Sequence, residues 1–378
     1  MGKRKAVFMC GLLAVMFGIT AMIVAFAEKK GETDGLLCVT SFYPVQLLAE
    51  AVSEGAEGVT VKNLTENHSG CIHDYTLTTR DMRLLSEAEL FLINGGDMEL
   101  FLEKAAAEYK DLKIVDTSEG YAFLEGVEHN HDHGADADAH EAESCTDPAH
   151  HHEADAHEAE SCTDPTHDHE EKEADHAEDV EDHDGHSHAI NAHIWLDVDG
   201  YLLQLSGVEE AFVQADPAQA ALYRKNAEAC RTELAKLKEE YETAKTALAG
   251  KEAVVFHEGF VYLLRMLGIE TVHCLSMDAD TQIAAGEAAE ITEECKLHGI
   301  TLLFAEAEYA ETVTDTFAKE MSGQVVVLDP VTGDRKLNTG TISDDATGGM
   351  SPEENGISLY CTRMRRNLDR IMQAYGLR

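Results

Sequence analysis

The sequence predicts an α/β fold of two lobes, each a parallel sheet covered by helices, joined by one long rigid helix. Three observations predict it. Short apolar, β-branched runs alternate with helix-period segments before Gly120 and again after Gly250, and such alternation implies parallel sheets with helices on both faces. Between the two groups, 216–249 opens on Asp-Pro and then holds no Gly or Pro until Gly250. A helix of about 30 residues would span roughly 45 Å, too long for a crossover inside a small sheet. Finally, 378 residues that are 44% hydrophobic are enough for one large or two medium cores.

The N-terminus has the pattern of an export signal. Lys3, Arg4 and Lys5 precede 21 uncharged residues, and Ala25-Phe26-Ala27 is a small-x-small site, so residues 1–27 are expected to be removed. The alternative is an uncleaved anchor, because the apolar run is long enough to span a bilayer. Both place the remainder outside the cytoplasm, on the periplasmic or extracellular face of the membrane. Val7-Phe8-Met9 lacks the small residue that lipidation at Cys10 would need.

The first lobe is assigned to 36–207, with strands at 36–41, 59–64, 90–93 and 113–116 and helices at 45–52, 78–88 and 98–109. The connecting helix, 216–249, carries a narrow apolar stripe of Leu222, Leu234, Leu237, Tyr241 and Leu248. The second lobe, 250–378, has strands at 252–255, 271–275, 302–304 and 325–328 and helices at 260–267, 285–298 and 313–320.

Inside the first lobe lies an insertion, 128–188, of a different composition. It holds 22 Asp and Glu against one Lys, so it contributes −21 of the formal −43, and it contains the phrase DAHEAESCTDP twice at a spacing of 17. Almost no large apolar residue is present, so burial cannot offset the entropy of ordering and the segment is expected to be disordered. Fourteen of the 20 histidines fall between His129 and His188. Without fixed geometry they would hold several cations weakly. The acidity excludes a nucleic-acid partner, because no basic patch exists to neutralise phosphates. The eight cysteines beyond the signal form no CxxC pair, and their pairing is not legible.

Six histidines remain. His73, in Cys-Ile-His-Asp-Tyr, follows a strand, and His257, in Val-Val-Phe-His-Glu-Gly, stands where a strand ends and a helix begins. Both are positions where α/β sheets place ligands. His193, in Asn-Ala-His-Ile-Trp-Leu-Asp, directly follows the acidic insertion beside the only Trp. His68, five residues before His73, is a loop histidine that could hold an incoming ion but is expected to be solvated. His273 lies within a strand and His298 near a helix C-terminus, where a cation suits the dipole. Neither is expected to be a ligand.

Four stretches, CIHDYTLTTRDMRLLSEAELFLINGGDMELFL, NAHIWLD, VVFHEGFVYLL and LLFAEAEYAETVTDTFAKEMSGQVVVLDPVTGD, closely resemble in order and spacing the zinc and manganese substrate-binding proteins of bacterial ABC transporters. The resemblance covers roughly Leu36 to Arg378 apart from the insertion. It implies a metal held in the cleft between two lobes by His73, His193 and His257, with Asp329 as fourth ligand and Glu306 or water as its substitutes. Three imidazoles leave one position of a tetrahedral zinc site, and a third histidine rather than a carboxylate favours Zn2+ over Mn2+. Asp74 and Glu258, which follow two of these histidines, are candidate orienting acceptors. The implied partners are a membrane permease and its cytoplasmic ATPase, the implied state a monomer. Two other classes compete. A secreted zinc hydrolase would need a second histidine at position 261, where Val261 stands, and no Gly-x-Ser-x-Gly elbow occurs. A metal buffer would place the function in the insertion itself.

Overall fold

The computed structural model describes residues 35–66, 68, 70–73, 75–101, 107–126, 190–275, 285–333 and 356–378. The expected signal 1–27, the insertion 128–188 and Asp74 lie outside the described residues.

The first lobe is built from β1 (Leu37–Thr40), α1 (Tyr43–Ser53), β2 (Thr60–Asn63), α2 (Thr79–Glu87), β3 (Leu90–Ile93) and β4 (Lys113–Asp116). The four strands form one parallel sheet in the order β2-β1-β3-β4. β3, Leu-Phe-Leu-Ile, is buried at every position, as expected of a central strand covered on both faces. α2 starts at a capping box: the Thr78 hydroxyl accepts from the Asp81 amide while the Asp81 carboxylate accepts from the Thr78 amide. Of the helix expected at 98–109, residues 102–106 lie outside the described set.

Two short strands, β5 (Leu124–Glu125) and β6 (Ile190–Asn191), were not legible in the sequence. They pair antiparallel, with Leu124 opposite Asn191 and Glu125 opposite Ile190. The chain therefore leaves for the insertion and returns from it about one strand spacing apart, ~4.8 Å. A 3-10 turn, Ile194–Leu196, leads into α3 (Val198–Ala215), and a second, Pro217–Gln219, into α4 (Ala220–Leu248). α4 has 29 residues, about 44 Å at 1.5 Å per residue.

The buried face of α4 differs in part from the expected stripe. It comprises Tyr223, Ala227, Cys230, Leu234, Leu237, Tyr241, Ala244 and Leu248, while Leu222 is only half-buried. These positions alternate spacings of four and three, which keeps one seam facing its neighbours along the full length. The seam packs on α1, α3 and the C-terminal helix.

The second lobe comprises β7 (Glu252–Val255), α5 (Phe260–Met266), β8 (Glu270–Cys274), α6 (Ala285–His298), β9 (Leu302–Ala305) and β10 (Gln324–Val327). Its parallel sheet has the order β10-β9-β7-β8, so from the other edge it repeats the arrangement of the first. In place of the expected helix at 313–320 stand one α-turn, Ala310–Val313, a π-helical turn, Thr314–Ala318, and Lys319–Met321. The final helix α7 (Gly356–Ala374), grouped by the sequence with the second lobe, lies against α1 and α4 as well as β10.

Trp195 fastens the two halves. Its indole N–H donates to Pro330 O at 2.8 Å, its carbonyl accepts from the Tyr360 hydroxyl at 2.6 Å, and its ring meets Phe42 edge-on at 4.9 Å. One continuous core runs from β1 through α3 and α4 to α7 and β9, and a smaller one, around Phe256, Ile291 and Phe317, lies in the second lobe.

Candidate metal centre

In each sheet the strand order reverses beside the first strand, between β1 and β3 and between β7 and β9. Open α/β sheets bind ligands outside the carboxyl ends of their strands at such points. His257 follows β7 by one residue beyond Phe256, and Glu306 directly follows β9. The parallel register that sets Val255 beside Phe304 brings the two side chains together, with His257 Nε2 3.3 Å from Glu306 Oε1. His257 is 5% exposed. Burial, and next the charge of His73, lower its pKa from 6.5 to about 3, so the imidazole is neutral and able to bind a metal.

His193 is positioned by Asn191 at the end of β6. Asn191 Nδ2 donates to Glu258 O at 2.8 Å, which fixes the amide and turns Oδ1 toward His193. Oδ1 then accepts from both the backbone amide (3.1 Å) and Nδ1 (2.9 Å) of His193. An amide oxygen can only accept, so Nδ1 carries a proton, and in the neutral ring Nε2 is the nitrogen left to present a lone pair. The ring is 1% exposed. Across it, Glu258 Oε1 lies 3.4 Å from Nδ1 and 3.9 Å from His73 Nε2. Glu258 thus serves His193 and His73, not the His257 it follows in sequence.

The two rings of His193 and His257 meet edge-on with centroids 4.7 Å apart, and the backbone of Gly259 lies against both. A Cβ at Gly259 would stand 2.8 Å from His257 Cε1 and 3.0 Å from His193 Cδ2, so this approach requires glycine.

The loop after β2 brings the remaining groups. Ile72 is fully buried and accepts a backbone hydrogen bond from Tyr75 at 3.1 Å, and His68 Nε2 donates to Cys71 O at 2.8 Å. His68 is thus a brace for the loop. Cys71 Sγ lies 3.0 Å from His193 Nε2 and 3.1 Å from His257 Nε2. The His73 ring is 5.3 Å from that of His193. Among the described residues, metal-ligating atoms converge in two groups that share one histidine, Cys71 with His193 and His257, and His73 with His193 and Glu258.

Asp329 is in neither group. Arg363 Nε donates to its Oδ2 at 2.8 Å, Arg363 Nη2 bonds its Oδ1, and the Val331 amide donates to Oδ1 at 2.9 Å. The sheet order is the reason: β9 adjoins β7, whereas β10 is one strand farther out and delivers Asp329 to α7. His273, on β8, faces Glu294, and His298, at the end of α6, faces Glu252. Cys71 and Asn191 were not read from the sequence, and Glu258, expected as an orienting acceptor for the histidine it follows, faces His193 and His73 instead. The signal for Cys71 was its position two residues before His73, in Cys-x-His.

A family model described as zinc-uptake complex component A, periplasmic, matches residues 38–374. The zinc-binding protein AdcA of Streptococcus pyogenes serotype M3 is 25% identical over 337 residues, 88% of this chain and 56% of that protein. This chain therefore spans little more than half the length of that relative. The high-affinity zinc uptake system protein ZnuA of Bacillus subtilis is 24% identical over 350 residues, 91% of this chain and 88% of that one. The crystal structure of Zn(II)-bound AdcA from Streptococcus pneumoniae has a TM-score of 0.60 at 19% identity, covering 90% of this chain and 57% of that one, and shares the fold.

Proposed function

The chain belongs to the family of zinc-uptake complex component A, periplasmic, and from that membership we propose that it is an extracytoplasmic zinc receptor. It captures Zn2+ outside the cytoplasm, holds it at the switch points of the two sheets, and delivers it to a membrane permease driven by a cytoplasmic ATPase. It carries out no chemistry on the ion. The observation that carries this reading is the buried approach of two imidazoles, His193 and His257, with Asn191 accepting from Nδ1 of the first so that its Nε2 faces the second ring. His73 and Glu306 stand beside them, and Glu306 takes the place first given to Asp329. Imidazole ligands favour Zn2+ over Mn2+, for which oxygen donors are better suited.

The insertion acts as a tethered zinc collector or sensor. Its −21 charge raises the cation concentration near β6, whose last residue is two positions before His193. Zinc titration against a chromophoric chelator tests both parts. Deleting 129–188 is expected to leave one tight zinc per molecule, and His193→Ala or His257→Ala to abolish it. If the deletion removes all tight binding while the alanine variants retain it, the function belongs to the insertion and this proposal is wrong.

A further inference from the structure

We propose that Cys71 is itself a zinc ligand, its thiolate completing a site with His193 Nε2 and His257 Nε2; this rests on the zinc-receptor reading above. The sulfur sits between the two imidazole nitrogens, at 3.0 and 3.1 Å, and the three donor atoms all lie within 4.8 Å of one another. A thiol has one hydrogen, so it can donate to only one of two facing nitrogens. A cation in the position of that hydrogen satisfies sulfur and both nitrogens together. The Nε2 of His193 is available for this because Asn191 holds the proton on the other ring nitrogen.

The dimensions agree. Zn–S of about 2.3 Å and Zn–N of about 2.0–2.1 Å put tetrahedral S···N edges near ~3.5 Å. The observed separations are shorter by roughly half an ångström, which a small rotation of the cysteine side chain supplies. The loop is not free to wander, because Ile72 is in the core and His68 holds the Cys71 carbonyl. Glu306 Oε1, 3.3 Å from His257 Nε2, is placed to be the fourth donor. His73, paired with Glu258 in the adjoining group, then stands next to the ion's first shell, where it can take part in entry or exit.

This donor set has a consequence for selectivity that three histidines alone do not have. Thiolate is a soft ligand, suited to zinc and poorly suited to manganese, and coordination releases the thiol proton to solvent. Cys71 would therefore determine which cation the receptor accepts.

Cobalt(II) substitution of the full chain provides the test, because a thiolate ligand adds a charge-transfer absorption that imidazole and carboxylate do not. At one equivalent of cobalt, the unmodified protein should show this band together with tetrahedral d–d bands. Cys71→Ser, which keeps a hydrogen-bond donor of similar size, should lose the charge-transfer band. Its zinc affinity should fall by no less than the ~10-fold that loss of an outer partner costs, with manganese affinity within about twofold of the unmodified value. In the unmodified chain, one equivalent of zinc should protect Cys71 from alkylation in peptide maps, a readout that requires no variant. Tetrahedral d–d bands without charge transfer, a band that persists in Cys71→Ser, or alkylation unaffected by zinc would each overturn the assignment while leaving the receptor reading standing. Absence of tight zinc or cobalt binding by the unmodified chain would overturn both.

Discussion

Replacing Asn191 by Ala separates the holding of a proposed metal ligand, His193, from the histidine itself. Asn191 is 1% exposed and makes three side-chain hydrogen bonds: from His193 Nδ1 at 2.9 Å, from the His193 amide at 3.1 Å, and to Glu258 O at 2.8 Å. Each buried bond contributes about 0.5–1.5 kcal/mol net, so the substitution should cost about 2–4 kcal/mol. For a chain of this size that lowers the melting temperature of the metal-free protein by about 5 °C. The effect on zinc should be larger than uniform destabilisation would give. Without its acceptor His193 can rotate and exchange tautomers, and loss of such an orienting partner costs about 10–100-fold in metal affinity. The assay is chelator competition on the folded variant, with a thermal melt of the apo form alongside. A melting temperature that falls while zinc affinity stays within twofold of the unmodified protein would refute the idea that Asn191 sets the tautomer of His193.

Asp329→Ala leaves the Arg363 guanidinium, 4% exposed, without its carboxylate. It should destabilise the fold by about 3–5 kcal/mol while zinc affinity of the folded protein stays unchanged; thermal melts and chelator competition together check it, and a large affinity loss would restore Asp329 as a ligand. Gly259→Ala places a methyl 2.8 Å from His257 Cε1 and 2.9 Å from Leu196 Cδ1. Overpacking of about 1–3 kcal/mol and weaker zinc binding are expected, read by the same two measurements. His257 gives a pH dependence of defined sign. Its folded pKa, about 3, lies below its ordinary 6.5, so between those values the unfolded chain binds the extra proton. The associated stability is complete above about pH 6.5 and is lost progressively as pH falls toward 3. Between pH 7 and 5 the metal-free protein should lose about 2 kcal/mol more than His257→Gln, measured by denaturant titration at each pH. Equal losses would refute the shift. The same shift keeps His257 in the neutral form that the proposed zinc binding requires at pH values where an unperturbed imidazole would be protonated.

Much of the fold was legible because its signals are local. The eight main strands match their expected positions to within about a residue at each end. The clearest runs belong to inner strands buried at every position, Leu-Phe-Leu-Ile of β3 and Leu-Leu-Phe-Ala of β9. α4 was visible from the length of chain without Gly or Pro, yet its buried seam was misplaced at the N-terminal end, where Tyr223 and not Leu222 faces inward. The helix expected at 313–320 became a π-helical turn, and β5 and β6, two residues each, were too short to give any periodic signal.

The sequence by itself determined that two parallel α/β lobes are joined by a long helix, and it singled out His73, His193 and His257 as the histidines to consider. Residue chemistry and local spacing carry that information along the chain. Tertiary structure decided which of these meet. Glu306 and Asp329 both lie just past the carboxyl end of a strand and are equivalent as text. Strand order separates them, because β9 lies beside β7 and β10 lies at the edge, so one carboxylate reaches His257 and the other pairs with Arg363. The same holds for Cys71, 122 residues from His193 and 186 from His257. No local pattern encodes such a contact; it arises only when the loop after β2 folds onto the ends of β6 and β7.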